Sequence, residues 1–359
     1  MLRKRTSLIA ALAAAGIAAA SLTALSPAAL AANPNGGNGH GNGHGNGHAE
    51  QACVADAPGT LGGDLGAHDP GLFVPCEDGE PWYVFATGYG PLGDGNVTIR
   101  SSANNGSTWT YVDTVWDVKP DWLTDAVPGV DNLWAPEIFQ DPSTGRFYLY
   151  YSASTFGKQR SVIALATNTT LDPADPDYEW VDEGLAWQSN AGDPYNAIDP
   201  TILAANGKHY MAYGSWWQGL YMLELAWPSG KVASGASPVH VAGRGGKGIE
   251  APSLVKHGSY YYLFSSWDAC CAGANSTYNI RVGRSTSPTG PFTDASGVAL
   301  TNGGGTLVLG AHGDYVATGG QSIANGLMAY HSYHKDGHFD LGIEAIVWNS
   351  SGWPVLDGK

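Results

Sequence analysis

An all-β fold, a five-bladed β-propeller, is what this sequence predicts, and three observations carry it. A proline turn led by a small or acidic residue recurs at Asp69-Pro70, Ala135-Pro136, Asp199-Pro200 and Ala251-Pro252, with the prolines 66, 64 and 52 residues apart. An aromatic run follows each turn, at residues 82–85, 147–151, 210–213 and 260–264. Almost nothing carries the 3.6-residue apolar period of a long amphipathic helix, so alternating barrels and doubly wound sheets fit poorly.

The elements of one unit follow in order. After the aromatic strand come strands of small and apolar residues at 163–167, 221–225 and 280–283. Closing segments are expected at 109–113, 180–184 and 292–297, and a fifth set runs from Ser322-Ile323 through 327–330 to 343–348. Five units of about four strands make a propeller. A two-sheet sandwich would not explain five similar units. In a propeller, loops from distant parts of the chain meet at one end of the axis.

Composition narrows the function. The chain has 359 residues, and 17 Lys and Arg against 32 Asp and Glu leave a formal charge of -15, which disfavours nucleic acid and anionic lipid as partners. Fifty glycines, 13 Trp and 18 Tyr with only 14% charged residues suit a turn-rich fold that stacks on an uncharged ligand. Arg3, Lys4 and Arg5 precede an apolar run, and Ala29-Leu30-Ala31 offers a cleavage site, so residues 1–31 read as a signal peptide and the protein as secreted. No twin-arginine pair is present, which points to the general export route. Residues 32–60 read as a spacer and lead-in, rich in Gly, Asn and His; His40, His44 and His48 make nickel or zinc binding an alternative reading of that tract. The propeller is expected over 61–359, with no membrane span after cleavage, and as a monomer. Cys53, Cys76, Cys270 and Cys271 favour disulfides in an exported chain, and three pairings are open.

Three turns carry a carboxylate at what looks like one repeat position: Asp69, Asp199 and Glu250, while the second unit has Glu137 just after its proline. An acid beside a proline can simply cap a turn. Gathered around one axis, however, three carboxylates repel each other and shift their ionisation, as glycosidic bond cleavage requires. No phosphate-cradling glycine loop and no Gly-x-Ser-x-Gly elbow is present. Trp116, Trp122, Trp134, Phe156, Trp187, Trp216, Trp217 and Trp267 lie in or near segments between strands; blade packing accounts for most, and Trp134 and the Trp216-Trp217 pair are the candidates for sugar stacking.

From about Leu65 to Leu356 the chain resembles the arabinan endo-1,5-α-L-arabinosidases of glycoside hydrolase family 43. The resemblance rests on His68-Asp69-Pro70, Leu133-Trp134-Ala135-Pro136-Glu137-Ile138, the stretch 148–157, Tyr195-Asn196-Ala197-Ile198-Asp199-Pro200, Ile249-Glu250-Ala251-Pro252 and the stretch 270–285. It implies an inverting hydrolase of arabinan and arabino-oligosaccharides, with Asp69 as general base, Glu250 as general acid and Asp199 raising the pKa of the acid. It places His68, Trp134, Phe156, Asn196 and Ser215 along the cleft, and Trp216 joins them as a substrate-binding candidate. No cofactor is needed for the chemistry, but the resemblance implies a calcium ion on the propeller axis, held in relatives by a fifth-blade histidine. Here Gly320 stands at that place. The ion is then absent, held by waters and carbonyls, or reached by another side chain, with His312 and His331 the nearest candidates. An exo-acting arabinanase, an α-L-arabinofuranosidase or a β-xylosidase could use the same carboxylates, and a binding propeller without catalysis is the reading outside enzymes.

Overall fold

The second strand of each blade is largely apolar and aromatic because each blade is packed on both faces, so alternate side chains enter different cores. The structure, a computed structural model, describes residues 53–356. The expected signal peptide and the His40, His44 and His48 tract lie outside the described residues. Five sheets form five blades. The first holds Gly71–Phe73, Trp82–Ala86, Thr98–Ser102 and Thr108–Thr114, with Gly62–Gly63 added in parallel at its outer edge. The second holds Leu133–Gln140, Phe147–Ala153, Ser161–Asn168 and Val181–Ser189. The third holds Thr201–Ala205, Lys208–Tyr213 and Leu220–Ala226, with Lys231–Val232 and Val239–Ala242 both on its last long strand. Ile249–His257, Tyr260–Trp267, Asn279–Ser285 and Thr306–Leu309 make the fourth. Tyr315–Ala324, Leu327–His334, Phe339–Trp348 and Pro354–Leu356 make the fifth. The segment expected to close the fourth blade, 292–297, contributes only an isolated bridge there, Thr293 to Arg284. Asp294 accepts the amides of Ser296 and Val298 and turns the chain back there, so Thr306–Leu309 takes the outer edge instead.

Strand alternation assigns the cores. Tyr83 and Phe85 pack toward the second blade, while Trp82, Val84 and Ala86 pack toward the fifth. In the second blade Leu149 and Tyr151 face the first, and Tyr148 and Tyr150 face the third. Tyr261 and Leu263 of the fourth blade face the third, while Tyr262 and Phe264 face the fifth. Five interblade cores result, and the innermost strands pack in sequence around the axis, the fifth against the first. Every blade is contiguous in sequence. The ring is fastened where its ends meet: the Ala55 amide donates to the Asn325 carbonyl (2.9 Å), the Leu341 amide donates to the Leu65 carbonyl (2.8 Å), and Cys53 is bonded to Cys76. Among the described residues no helix is long and apolar enough to cross a membrane.

At the axis each blade has a residue in the left-handed region: Asp69 (φ 49°), Ala135 (φ 44°), Asp199 (φ 57°), Ala251 (φ 49°) and Gly320 (φ 61°). Four of them carry a Cβ and precede proline, a conformation that costs energy on both counts. The amide of each kinked residue donates to a side chain of the preceding blade. Asp69 donates to His331 Nδ1 (3.2 Å), Ala135 to Thr87 Oγ1 (2.9 Å), Asp199 to Ser152 Oγ (3.1 Å), Ala251 to Asp199 Oδ2 (3.1 Å) and Gly320 to Ser266 Oγ (3.0 Å). The five bonds close a cycle around the axis. In the third blade the position matching Thr87 is Gly214, since the Thr87 amide donates to the His68 carbonyl just as the Gly214 amide donates to the Ile198 carbonyl. Gly214 has no side chain to offer, and the Asp199 carboxylate takes its place in the cycle.

Phe264 is fully buried between the fourth and fifth blades. Phe264→Ala is expected to cost about 3–5 kcal/mol in a urea unfolding curve. Leu307→Ala, at a side chain 54% exposed, should stay within about 0.5 kcal/mol.

Candidate active site

A cavity of about 760 Å³ gathers Asp69, Asp199 and Glu250 with His68, Trp134, Phe156, Asn196, Ser215 and Trp216. These nine residues and Trp217, all singled out in the sequence as catalytic or sugar-binding candidates, therefore share one cleft. The repeat position does not hold for all three carboxylates. Asp69 and Asp199 are the kinked residues of their blades, whereas Glu250 stands one residue before the kink at Ala251. There the pairing register shifts between Glu250 and Ser253, and Glu250 bridges to Ser215 of the third blade. The kinked residues of all five blades line a small cavity on the axis, and the residues just before four of those kinks, His68, Trp134, Ile198 and Glu250, line the cleft.

Three similar acids are driven apart by their partners. Asp69 Oδ2 lies 2.8 Å from His68 Nδ1 and accepts the Thr87 hydroxyl at 2.7 Å. Burial alone would raise its pKa, but the charge and hydrogen bond of His68, then His331 and Thr87, together hold this carboxyl well below the usual range. Asp199 is pushed well above its ordinary value, first by burial and then by the like charges of Glu250 and Asp69. Burial also raises Glu250, with the Asp69 charge adding to it; the hydroxyls of Ser215 (2.7 Å, to Oε2) and Tyr278 (2.8 Å, to Oε1) pull the other way without cancelling it. Asp199 and Glu250 titrate as a pair that retains a proton above the ordinary carboxylate range, while Asp69 is ionised. Tyr278 is itself pushed up, by burial and by the neighbouring carboxylates, and stays a hydrogen-bond donor.

His68 is held from its far side, with Nε2 2.5 Å from the Tyr333 hydroxyl, and its ring stacks on His331 with centroids 3.7 Å apart. The Cys271 amide donates to the same hydroxyl, and the bonded pair Cys270–Cys271 lines the cleft. Thr87, Tyr278, Tyr333 and Ser152 had not been singled out individually. Ser152 and Tyr278 had a signal, since they fall within the stretches 148–157 and 270–285 that carry the resemblance. Of the aromatic candidates, Trp134, Phe156, Trp216 and Trp217 line the cleft. Trp267 is instead buried under the guanidinium groups of Arg244 and Arg281. Trp187 packs on Tyr195, Trp116 bonds the Tyr151 hydroxyl, and Trp122 bonds Asp182.

The axial cavity holds about 20 Å³ and is bordered by Asp69, Glu137, Asp199, Gly320, Gln321 and Ser322, among others. A calcium ion takes six to eight oxygens, and the residues present do not fit one held as the resemblance implies. A Cβ on Gly320 would lie 2.4 Å from Asp69 Oδ1 and 2.8 Å from His331 Nδ1, so no fifth-blade imidazole can enter from there. His331 Nδ1 already accepts the Asp69 amide, while its ring lies with His68 and Asp69 in a group of three side chains able to ligate a metal. The Glu137 oxygens accept Thr201 and Ser322, and the Gln321 side chain joins Ser266 to the Ala251 carbonyl. His312 bonds the Gly310 carbonyl, tilts against Tyr315, and belongs to no group of three metal-capable side chains among the described residues.

Residues 68–354 match the family model for glycosyl hydrolases family 43. The chain belongs to glycosyl hydrolase family 43. It is 37% identical to an extracellular exo-α-(1→5)-L-arabinofuranosidase of Cellvibrio japonicus, covering 81% of this chain and 86% of the relative. It is 36% identical to an extracellular endo-α-(1→5)-L-arabinanase of Bacillus subtilis, covering 80% and 86%. Among solved structures, an endo-arabinanase from Bacillus licheniformis superposes with a TM-score of 0.75 at 34% identity, covering 82% of this chain and 99% of that one.

Glu137 tests how the axis of this family 43 member responds to pH. Burial raises its pKa from 4.5 to about 7 against the Thr201 and Ser322 hydroxyls and the Ile202 amide. A carboxyl raised on folding favours the folded state below its unfolded pKa, and that contribution is lost as pH rises through the folded value. Wild-type stability should therefore fall between pH 5 and pH 8 by on the order of 2–3 kcal/mol from this group. Denaturant curves of Glu137→Gln should show that slope flattened.

Proposed function

We propose that this protein is a secreted hydrolase of arabinan that cuts internal α-1,5-L-arabinofuranosidic bonds by single displacement, inverting the anomeric centre. The observation that carries the reading is three carboxyls in one cleft with unlike partners, His68 and Thr87 on Asp69, Ser215 and Tyr278 on Glu250, and the Ala251 amide on Asp199. These partners and burial lower the pKa of Asp69 and raise those of Asp199 and Glu250. Asp69 takes a proton from water as the water oxygen attacks the anomeric carbon. Glu250 gives its proton to the departing glycosidic oxygen, and Asp199 keeps the pKa of Glu250 high enough for that transfer. Trp134, Phe156 and Trp216 stack on sugar faces, and His68, Asn196 and Ser215 position the ring and the acid. These steps draw only on side chains and water, so no metal is asked of the chemistry.

Internal cleavage is supported by the identity with the Bacillus subtilis endo-arabinanase and by Phe156, which borders the cleft yet is 82% exposed, as a rim open to a passing chain would leave it. Exo action is the second reading, because the Cellvibrio japonicus relative carries that name at similar identity.

A product time course on linear 1,5-α-arabinan, run with and without a chelator, tests this reading. Endo action gives an early spread of oligosaccharides at a rate the chelator leaves unchanged, and exo action gives one product from the first minute. The first-formed anomer, read by proton NMR, should be inverted. Glu250→Gln and Asp69→Asn should each lose about 10²–10⁴-fold in kcat. Absence of hydrolysis in the wild type would favour a binding propeller.

A second expectation concerns pH. Loss of the retained proton sets the alkaline limb of kcat/KM. Removing the like charge in Asp199→Asn lowers the pKa of Glu250, so that limb should move to lower pH.

A further inference from the structure

The turn joining the two middle strands of the fifth blade carries chemistry that the cleft does not use. Leu327–His334 and Phe339–Trp348 are antiparallel, and at their ends the His334 amide donates to the His338 carbonyl (2.8 Å), setting the two histidines opposite each other. Asp340 follows His338 by two residues, so strand alternation puts it on the same face. Both imidazoles turn Nε2 toward one oxygen: His334 Nε2 is 2.9 Å and His338 Nε2 3.6 Å from Asp340 Oδ2. The rings stack with centroids 3.8 Å apart and planes 16° from parallel, so their in-plane lone pairs run side by side and one ring must turn about its Cβ–Cγ bond for both Nε2 atoms to meet one ion.

We propose that His334, His338 and Asp340 form a zinc-class transition-metal site that pins this hairpin turn.

The donor spacing supports it. One donor atom from each of the three residues lies within 4.8 Å of the others. Zinc–nitrogen and zinc–oxygen bonds of about 2.0–2.2 Å in tetrahedral geometry set donors about 3.3–3.6 Å apart; one measured separation, 3.6 Å, meets that range and the other, 2.9 Å, falls short of it. A second observation concerns the far side of His338. Its Nδ1 is hydrogen-bonded to the Asp336 carboxylate, which fixes the tautomer and leaves Nε2 as a bare lone pair. A carboxylate behind a ligating imidazole is the usual outer shell of a zinc histidine, and here it lies on the same turn. Two imidazole nitrogens and one carboxylate favour zinc, nickel or copper over calcium, which prefers an all-oxygen set. Three protein ligands leave a fourth position for water. His338 is 52% exposed, so an ion can reach the site from solvent.

The test is thermal unfolding of the full chain with zinc sulfate, and with calcium chloride as the contrasting ion. Zinc bound to the folded site should raise the Tm of the wild type by roughly 2–5 °C at saturation, and calcium should not. His338→Ala and, independently, Asp340→Asn should abolish the zinc shift while hydrolysis of the polysaccharide stays unchanged without added metal. The His40, His44 and His48 tract is present in all these proteins, so zinc taken up there cannot produce a difference between them. Crystals soaked in zinc should place an anomalous peak between the three side chains. A zinc shift equal in wild type and variants, no rise in the wild type, or an anomalous peak only elsewhere would overturn the proposal.

Discussion

The structure depends on a cycle of five hydrogen bonds around the propeller axis, each running from a kinked backbone amide to a side chain of the preceding blade. A left-handed residue ahead of proline is disfavoured on its own. It persists here because the amide freed from its strand finds a partner, and the partner belongs to another sheet. Strain within one blade thereby becomes registry between two. Glu250 and His68 enter the cleft because they precede kinks; Asp69 and Asp199 occupy kinks, and reach both the cleft and the axis.

The same cycle shapes the electrostatics. Thr87 receives the Ala135 amide and donates to Asp69, so the hydroxyl that joins the first two blades also stabilises the ionised carboxyl. Asp199 serves the cycle because Gly214 cannot, and this ties its carboxylate to the residue next to Glu250. Burial raises every carboxyl in the cleft; the imidazole on Asp69 is what reverses its effect there. Position and partner, not residue type, separate the acids.

Much of the architecture was legible in the sequence, for a physical reason. Blades buried on both faces make their second strands apolar and aromatic, so the runs around Phe85, Tyr150, Tyr213 and Phe264 declared themselves, and the prolines marked the units. Glu250 was correctly gathered with Asp69 and Asp199, but its one-residue offset was hidden, because a bulge leaves no mark on spacing. Ser152, Ser266 and Thr87 were invisible as individuals, since a hydroxyl that accepts one amide looks like any other Ser or Thr. His331 was read as a metal candidate by its proximity to Gly320; its Nδ1 is also the acceptor that closes the cycle at the first blade, a role that nothing in the sequence marks. The end of the fourth blade was placed only in part: Thr293 bridges Arg284, but the turn made by Asp294 lies inside a segment that resembles an edge strand.

Each blade brings one socket and one plug, a side chain for its successor and an amide for its predecessor. The wheel thus has no privileged first spoke. Apart from the clasp around Cys53, no link at the hub depends on where the polypeptide starts. Joining the present ends and opening the chain between any other two blades would preserve all five links, so the cleft belongs to the closed circle rather than to the order in which its parts are synthesised.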